Sequence, residues 1–223
     1  MSDSSNNSFT TISNYQIGLL NGSELKLLWE TVEQFGIEHI RFTPGSQITV
    51  SKLAEDQLTE FVNTLKPLLK PLPTNGITSI YNCNEHGECR KGCIATGKIV
   101  KKLCSLDLPQ PMPARIKAAV AGCPRCCTMP RLRDIGMIPA SARESTWHVY
   151  FGGHGGRIPR IADLIGEHLS LDESLALVRR ALIVYQSEAK VKTRTSSYLR
   201  TTTLNSFLEK IGKITSLDSG QGI

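Results

Sequence analysis

The sequence contains no hydrophobic run long enough to cross a membrane. Apolar residues make up 40% of its 223 positions, but the longest apolar stretches fall far short of the ~20 residues that a transmembrane helix requires. The opening residues, MSDSSNNSFTTISNY, include neither a basic segment nor an apolar core, so they lack the composition of a secretion signal. We therefore expect a cytoplasmic protein with no membrane partner, whose residues 1–13 form a disordered tail.

The sequence also lacks recognisable nucleotide-binding and nucleic-acid-binding patterns. No flavin or nicotinamide fingerprint is present, and no nucleic-acid motif accompanies the formal net charge of +6. A basic surface equally suits a small anion or an acidic protein partner. We expect no nucleic acid among the partners, and any redox reaction must draw its electrons from an external donor.

Cysteine, by contrast, is plentiful. The chain has seven cysteines, and an odd number without a secretion signal indicates a reducing compartment. Five of them crowd into two loops, CNEHGEC at 83–89 and GCPRCC at 122–127. A buried, inert thiol would suit Cys104, which lies on a helical pattern, but it does not account for this crowding. The two loops therefore predict ligation of a metal or an iron–sulfur cluster.

The first third of the chain alternates strand and helix patterns. Apolar spacing predicts strands over 15–20, 37–43 and 48–50, and helices over 23–35 and 54–69. This order is typical of an α+β unit that corresponds to half of a ferredoxin-like pair. Because the proline-rich run KPLLKPLP follows, we place this half-domain at residues 14–72.

Residues 73–215 are predicted to form a second, α/β domain. The patterns indicate strands over 77–82, 115–122, 133–138 and 147–153, and helices over 91–106, 170–187 and 204–212. The first two of these strands each lead directly into a cysteine loop. The fold class is therefore α+β, with a ferredoxin-like half-domain followed by an α/β domain.

The cysteine spacings favour a cluster over zinc. Cys83 and Cys89 form C-x5-C, and Cys123 and Cys127 form C-x3-C. Two loops from neighbouring strands would face each other and present four thiolates to one cluster. Zinc knuckles use gaps of two to four residues, so the first gap fits zinc poorly. Four thiolates are the usual ligand set of an iron–sulfur cluster.

Spacing alone leaves the choice of ligands open. Cys89 and Cys93 are also C-x3-C, and Cys123 and Cys126 are C-x2-C. Four ligands must therefore be chosen from six candidate cysteines.

The cysteine segments resemble a known family. A strand followed by CNEHGEC, and a strand followed by GCPRCC, six residues and DIG, are similar to the cluster region of siroheme-containing nitrite and sulfite reductases. The resemblance implies that Cys83, Cys89, Cys123 and Cys127 hold a [4Fe–4S] cluster, and that Cys127 also bridges the cluster to the siroheme iron. It extends over roughly residues 14–212, and it makes residues 73–215 the [4Fe–4S]/siroheme-binding domain.

Further segments carry the same resemblance. WHVYFGGHGGRIPRIADL resembles the family's strand and GGNGG stretch, PARIKAAVAG resembles its P-x-K-x-K strand, and residues 40–50 resemble a segment that lies over the macrocycle. The glycines are expected to let backbone amides approach an anion. The catalytic residues implied are Arg41, Arg115 and Lys117. The cofactor-binding residues implied are Arg41, Arg115, Lys117, Cys127, Gly153, His154, Gly155, Gly156, Arg157 and Arg160.

The function implied by this resemblance is reduction of sulfite or nitrite. Electrons from a donor such as ferredoxin would pass through the cluster and Cys127 to siroheme. The family's full-length members have two homologous halves, so a chain with one half either acts alone or completes its site as a homo-oligomer. Two alternatives stay open. One is a siroheme-free [4Fe–4S] electron-transfer or redox protein, which the extra thiols Cys93 and Cys126 favour. The other is a precorrin-3B synthase-like enzyme on the same scaffold.

Overall fold

The computed structural model describes residues 9–43, 46–51, 53–73, 76–109, 111–141 and 145–218. The chain divides into two compact units after Leu72. No helix in these ranges is both long enough and apolar enough to cross a membrane. Residues 1–8 of the expected tail lie outside the described ranges.

The first unit contains two small antiparallel sheets and two helices. Its elements are β1 (Phe9–Thr11), β2 (Tyr15–Ile17), α1 (Gly22–Gln34), β3 (Ile40–Phe42), β4 (Ile48–Ser51), α2 (Leu58–Leu65) and β5 (Leu69–Pro71). The sheets have the orders β1-β4-β3 and β2-β5. The apolar sides of both helices pack with β4 in one core.

Two expectations for this unit need correction. Phe9–Thr11 form a strand that pairs with β4, and Ile12 is only 2% exposed, so the predicted tail cannot extend to residue 13. The second helix is shorter than the predicted 54–69. It ends at Leu65 because Pro67 is in the next turn, which is a 3-10 turn over Lys66–Leu68.

The second unit is a five-stranded sheet with helices. Its elements are β6 (Ile77–Asn82), α3 (Gly97–Cys104), β7 (Ile116–Val120), β8 (Ile135–Pro139), β9 (Trp147–Phe151), β10 (Asp163–Leu169), α4 (Leu171–Glu188), α5 (Thr195–Thr201) and α6 (Leu204–Asp218). The strand order is β10-β9-β8-β7-β6. Strands β6, β7 and β8 are parallel, whereas β9 and β10 are each antiparallel to the neighbouring strand.

The two faces of this sheet differ in composition. Side chains alternate between the faces along each strand. One face, with Ile80, Val120 and Met137, packs against α3 and α4 in the main core. The other face, which we call the second face, carries Tyr81 and Tyr150 together with Lys117, Ala119 and Gly136.

The two edges of the sheet differ in the loops they carry. Parallel strands β6 and β7 both end at one edge, which we call the cysteine edge because Cys83 and Cys123 follow there. Strand β9 runs the other way, and Phe151 at its end pairs with Ile135 at the start of β8. The GGHGG loop that follows β9 therefore leaves the sheet at the opposite edge.

Candidate functional site

The structure brings the two cysteine loops into direct contact at the cysteine edge. The N–H groups of Cys93 and Ile94 donate to the Gly122 carbonyl at 2.8 and 3.1 Å. In return, the Gly122 N–H donates to Cys83 Sγ at 3.4 Å. All seven cysteines, which lie within the described ranges, are free thiols. The expectation that neighbouring strands deliver the two loops to one place therefore agrees with the sheet order.

The electrostatics of Cys83 show that the four sulfurs implied as ligands are close together. Burial raises the pKa of the Cys83 thiol, and the nearby Cys127, Cys123 and Cys89 raise that pKa further, against the lowering effect of the Gly122 N–H. Cys123 is buried, whereas Cys89 and Cys127 are exposed. The pKa of Cys83 is thus influenced by three other sulfurs, and two of these belong to exposed cysteines.

Within the described ranges, no three His, Cys, Asp or Glu side chains converge closely enough to share one ion. In a four-iron cube each thiolate binds a different iron, so the sulfurs lie further apart than the ligands of one zinc ion. The donor set fits a [4Fe–4S] cluster.

Asn84 organises the first cysteine loop, a role that no clear sequence pattern predicts. Its side chain is almost fully buried, and its backbone is left-handed with φ 59°. Asn84 Oδ1 accepts the Cys89 N–H at 2.8 Å, while Nδ2 donates to the Ile94 carbonyl at 2.9 Å. Asparagine tolerates left-handed backbone better than most residues, which is the one feature that sequence inspection offers here.

Two glycines make room for this asparagine. A Cβ on Gly92 would lie 2.3 Å from Asn84 Nδ2, and a Cβ on Gly122 would lie 2.8 Å from Asn84 Cβ. Neither position tolerates a larger side chain without displacing Asn84. The two loops therefore meet around one buried amide.

The extra thiols Cys93 and Cys126 have different surroundings. Cys93 is exposed, and its thiol donates to the Lys91 carbonyl at 3.7 Å. Cys126 has left-handed backbone, donates to the Pro124 carbonyl at 3.3 Å and packs against a small apolar cluster on the second face. Burial raises the pKa of the Cys126 thiol, with Arg131 opposing that rise. Cys126 is nevertheless within electrostatic reach of other sulfurs, so a fifth thiol lies beside the proposed ligands.

The second face carries arginines stacked on tyrosines. The Arg131 guanidinium lies 4.9 Å from the centre of the Tyr150 ring, and Arg131 donates to the Tyr150 hydroxyl at 3.0 Å. The Arg133 guanidinium lies 4.3 Å from the Tyr81 ring centre. Arg133 Nε is buried and has no hydrogen-bond partner among the described residues. With Lys117 on the same face, these side chains offer several cations and one unused buried donor to an anionic ligand.

The basic residues implied at β7 lie towards its beginning. Arg115 is exposed just before the strand, and Lys117 is half-buried on the second face. About 10 Å of extended strand separates Lys117 from Val120, where β7 ends at the cysteine edge. A ligand that touches both Lys117 and the cysteine loops must therefore extend along the second face. Arg41 is exposed on β3 in the first unit, with its guanidinium 5.4 Å from the Phe9 ring centre.

The GGHGG loop differs from expectation in its backbone. The Gly153 N–H donates to the Arg133 carbonyl, and the His154 N–H donates to the Arg160 carbonyl, both at 2.9 Å. These two N–H groups are already bonded within the protein. The backbone contacts with an anion that the sequence predicted can therefore come only from the N–H groups of Gly155 and Gly156 among the residues of this loop. The Arg160 guanidinium is bound to the Gly152 carbonyl at 3.0 Å and to Asp163 at 2.5 Å. We therefore assign Arg160 a structural role, in which its guanidinium holds the GGHGG loop closed.

A parallel sheet edge that joins two cysteine loops defines an iron–sulfur protein. The family model described as "Nitrite and sulphite reductase 4Fe-4S domain" matches residues 74–217. The chain belongs to this family, which confirms the resemblance seen in the sequence. The named relatives are oxidoreductases, and the cofactors of the family are a [4Fe–4S] cluster and siroheme.

Relatives named as sulfite and nitrite reductases match most of the chain. An assimilatory-type sulfite reductase of Nitratidesulfovibrio vulgaris is 23% identical over 194 residues, which is 87% of this chain and 88% of the relative. A nitrite reductase [NAD(P)H] of Bacillus subtilis is 25% identical over 186 residues, which is 82% of this chain but only 22% of that protein.

Solved structures share the fold. Dissimilatory sulfite reductase I (DsrI) has a TM-score of 0.73 at 11% identity, over 92% of this chain and 68% of the other. The NirA protein of Mycobacterium tuberculosis has a TM-score of 0.69 at 13% identity, over 92% of this chain and 40% of the other. The predicted fold class is therefore confirmed.

Proposed function

We propose that this protein is a small sulfite reductase that takes its electrons from a separate donor protein. The observation that carries the proposal is the junction of the two cysteine loops at the ends of parallel strands β6 and β7. The choice of sulfite follows the name of a relative that aligns with 87% of this chain, an assimilatory-type sulfite reductase. The chain spans 88% of the assimilatory-type sulfite reductase but only 22% of the nitrite reductase relative.

Four thiolates would hold the cluster in this proposal. We take Cys83, Cys89, Cys123 and Cys127 as the ligands, as the resemblance implies, and the influence of the other three sulfurs on the pKa of Cys83 supports this set. Cys127 would also help to hold the siroheme, as the resemblance implies. Its exposure supports that role, since such a sulfur must be accessible from outside the cysteine loops.

Cations of the second face would bind the carboxylates of siroheme and the substrate anion. Lys117 comes from the resemblance, and the stacked arginines Arg131 and Arg133 lie on the same face. Arginine suits carboxylates because its planar fork donates two parallel hydrogen bonds. A lysine ammonium holds a small anion as a point charge and carries a proton for a departing oxygen. Arg115 and Arg41 stay predictions for the same role.

The reaction needs a donor that the chain itself does not contain. When bound, the cluster and siroheme supply one-electron transfers to the substrate. Sulfite takes up six electrons to become sulfide, and its three oxygens leave as water with protons from the site and solvent. A ferredoxin-like carrier of acidic surface suits the net charge of +6.

The visible spectrum of the full chain, purified without oxygen, tests the proposal. Siroheme gives a Soret band and long-wavelength bands. With reduced methyl viologen as the electron donor, we then expect the protein to oxidise the dye faster in the presence of sulfite than of nitrite. A broad shoulder that merely bleaches on reduction would instead establish the siroheme-free redox protein. Faster turnover with nitrite would reverse the choice of substrate. The matched pair Cys123→Ser and Cys104→Ser checks the assignment, because Cys104 lies at the end of α3, away from both cysteine loops.

A further inference from the structure

A cavity of about 230 Å³ lies beside the GGHGG loop, where β9 leaves the sheet. Its lining comes from two segments and comprises the arginines Arg157, Arg194 and Arg200, the serines Ser196 and Ser197, and His154 and Ile158. Strand β9 is antiparallel to β8, so this cavity opens at the edge opposite to the two cysteine loops. It is therefore a different place from the cluster site.

Arg194 is fixed at the wall of this cavity by a buried carboxylate. Asp134 is 1% exposed and accepts a hydrogen bond from Arg194 at 2.5 Å and another from the Thr195 hydroxyl. Asp134 Oδ2, which accepts from Arg194, also accepts the Lys117 N–H at 2.9 Å, while the Thr195 hydroxyl donates to Oδ1. Arg194 Nε is buried without a hydrogen-bond partner within the part of the chain that the structure describes. The guanidinium is thus rigid, and one of its donors is unused.

The positive charge of the cavity exceeds the negative charge nearby. Asp134 compensates Arg194, and Asp163 compensates Arg160 behind the loop. Arg157 has no partner among the described residues, and Arg200 makes only a 3.4 Å hydrogen bond to the Pro159 carbonyl. Among the residues that the structure describes, two guanidinium groups at one small cavity are therefore without a counter-charge.

The guanidinium and hydroxyl groups of this cavity are hydrogen-bond donors, and the oxygens of a tetrahedral anion are the acceptors that suit them. Arginine binds such oxygens through paired, charge-assisted hydrogen bonds, and serine hydroxyls donate to the remaining oxygens. A volume of about 230 Å³ admits such an ion with a few waters, but not a tetrapyrrole. We propose that this cavity binds a free tetrahedral oxyanion of the sulfate and phosphate class. This site goes beyond the proposed reductase function, and it assigns His154 and Arg157, which the resemblance implied as cofactor-binding residues, to a different ligand.

Binding of the anion is measured directly on the full purified chain, without turnover. Sodium sulfate and sodium phosphate are titrated in a calorimeter, with sodium chloride at equal ionic strength as the reference. We expect saturable binding of sulfate or phosphate that chloride does not reproduce. In Arg157→Ala/Arg200→Ala, binding weakens by at least about tenfold, because two charge-assisted contacts are lost. Both side chains are exposed, so this variant keeps its fold.

A matched variant separates this site from general surface charge. Lys98→Ala/Lys101→Ala removes the same net charge from exposed positions of α3, and we expect it to bind sulfate within about twofold of the wild type. Equal weakening in both double variants would overturn the proposal, because it would show non-specific attraction.

Two further outcomes also contradict the proposal and distinguish it from the reductase function. Sulfate binding that persists in Arg157→Ala/Arg200→Ala but disappears in Lys117→Ala would place the anion on the second face instead. Absence of saturable binding in the wild type, together with loss of the siroheme bands in Arg157→Ala/Arg200→Ala, would assign these arginines to the cofactor. Retention of the siroheme bands in that variant, with loss of sulfate binding, supports the separate site.

Discussion

Asn84 Oδ1 accepts a 2.8 Å hydrogen bond from the backbone N–H of Cys89, and this bond joins the two ends of the C-x5-C segment. The same side chain also donates to the Ile94 carbonyl, so one buried amide fixes the loop on both sides. Asn84 is therefore a positioning residue for Cys83 and Cys89.

Replacement of Asn84 separates the roles of its side chain and its backbone. We expect Asn84→Ala to lower the free energy of unfolding by about 1–3 kcal/mol, because a buried acceptor and donor lose their partner and the left-handed backbone disfavours alanine. Asn84→Gly keeps the backbone freedom and loses only the hydrogen bonds. Iron and acid-labile sulfide per chain should fall in both variants. Full cluster content in Asn84→Gly would show that the amide bonds do not position the cysteines.

A methyl group at Gly122 tests the contact between the loops. Gly122→Ala would place Cβ 2.8 Å from Asn84 Cβ and 3.0 Å from the Ile94 carbonyl oxygen. We expect a loss of about 1–3 kcal/mol in unfolding free energy, as for other overpacked sites, and reduced iron content. Gly22→Ala is the matched control, since nothing lies within 4 Å of its Cβ. Urea unfolding and iron analysis measure both effects, and equal behaviour of the two variants would contradict the close approach.

Substitution of single cysteines tests the ligand set. Cys83→Ser and Cys123→Ser are expected to lose most of the cluster, whereas Cys93→Ser is expected to retain it because the Cys93 thiol donates to a backbone carbonyl. Cys127→Ala should lower siroheme content more than Cys83→Ser does at equal iron loss, if its sulfur is the shared one. Iron content and the Soret band report on each cofactor separately. Unchanged siroheme and activity in Cys127→Ala would refute the bridging assignment.

The buried hydroxyl of Tyr185 predicts a loss of stability at high pH. Burial raises the pKa of Tyr185 to about 12, and the hydroxyl donates to the Thr193 carbonyl at 2.5 Å. Because the pKa of Tyr185 in the folded protein lies above the unfolded value of about 10, its contribution to the free energy of unfolding is complete below pH 10. It is lost as the pH rises towards 12.

Tyr185→Phe isolates this contribution. At neutral pH the variant should be less stable by about 1 kcal/mol, because the hydrogen bond to Thr193 is lost. The difference in unfolding free energy between wild type and variant should narrow from pH 10 towards pH 12. Tyr198 is present in both proteins, so its own high pKa cancels in the comparison. A constant difference across this range would mean that Tyr185 titrates normally in the folded protein.

Strong local patterns in the sequence predicted the strands and the long helix around the candidate site. Strand β6 occupies the predicted residues 77–82. Helix α4 begins after Ser170 as its spacing indicates, and a capping box with Glu173 fixes that start. The position of both cysteine pairs directly after strands was also readable, because a strand pattern gives way to Gly, Pro and polar residues there.

Other elements depend on contacts between distant residues and left no local pattern. Strand β10 pairs with β9 through two register shifts around Gly166, so its side chains do not alternate cleanly between apolar and polar. Strands β1 and β5 have three residues each, too few to show a period. The role of Asn84 and the stacking of Arg133 on Tyr81 need neighbours that only the folded chain supplies.

Because β9 is antiparallel to β8, the loop after β9 and the two cysteine loops leave the sheet at opposite ends of its strands. The backbone of the loop after β9 is bound by Asp134, Arg133 and Arg160, whereas the two cysteine loops are joined at Gly122. Asp134 also accepts the Lys117 N–H, so the loop after β9 and a cation of the second face share one buried carboxylate. A substitution of Asp134 would therefore disturb both at once, whereas substitutions of exposed Arg157 or Arg200 remove no bond between the cysteine loops.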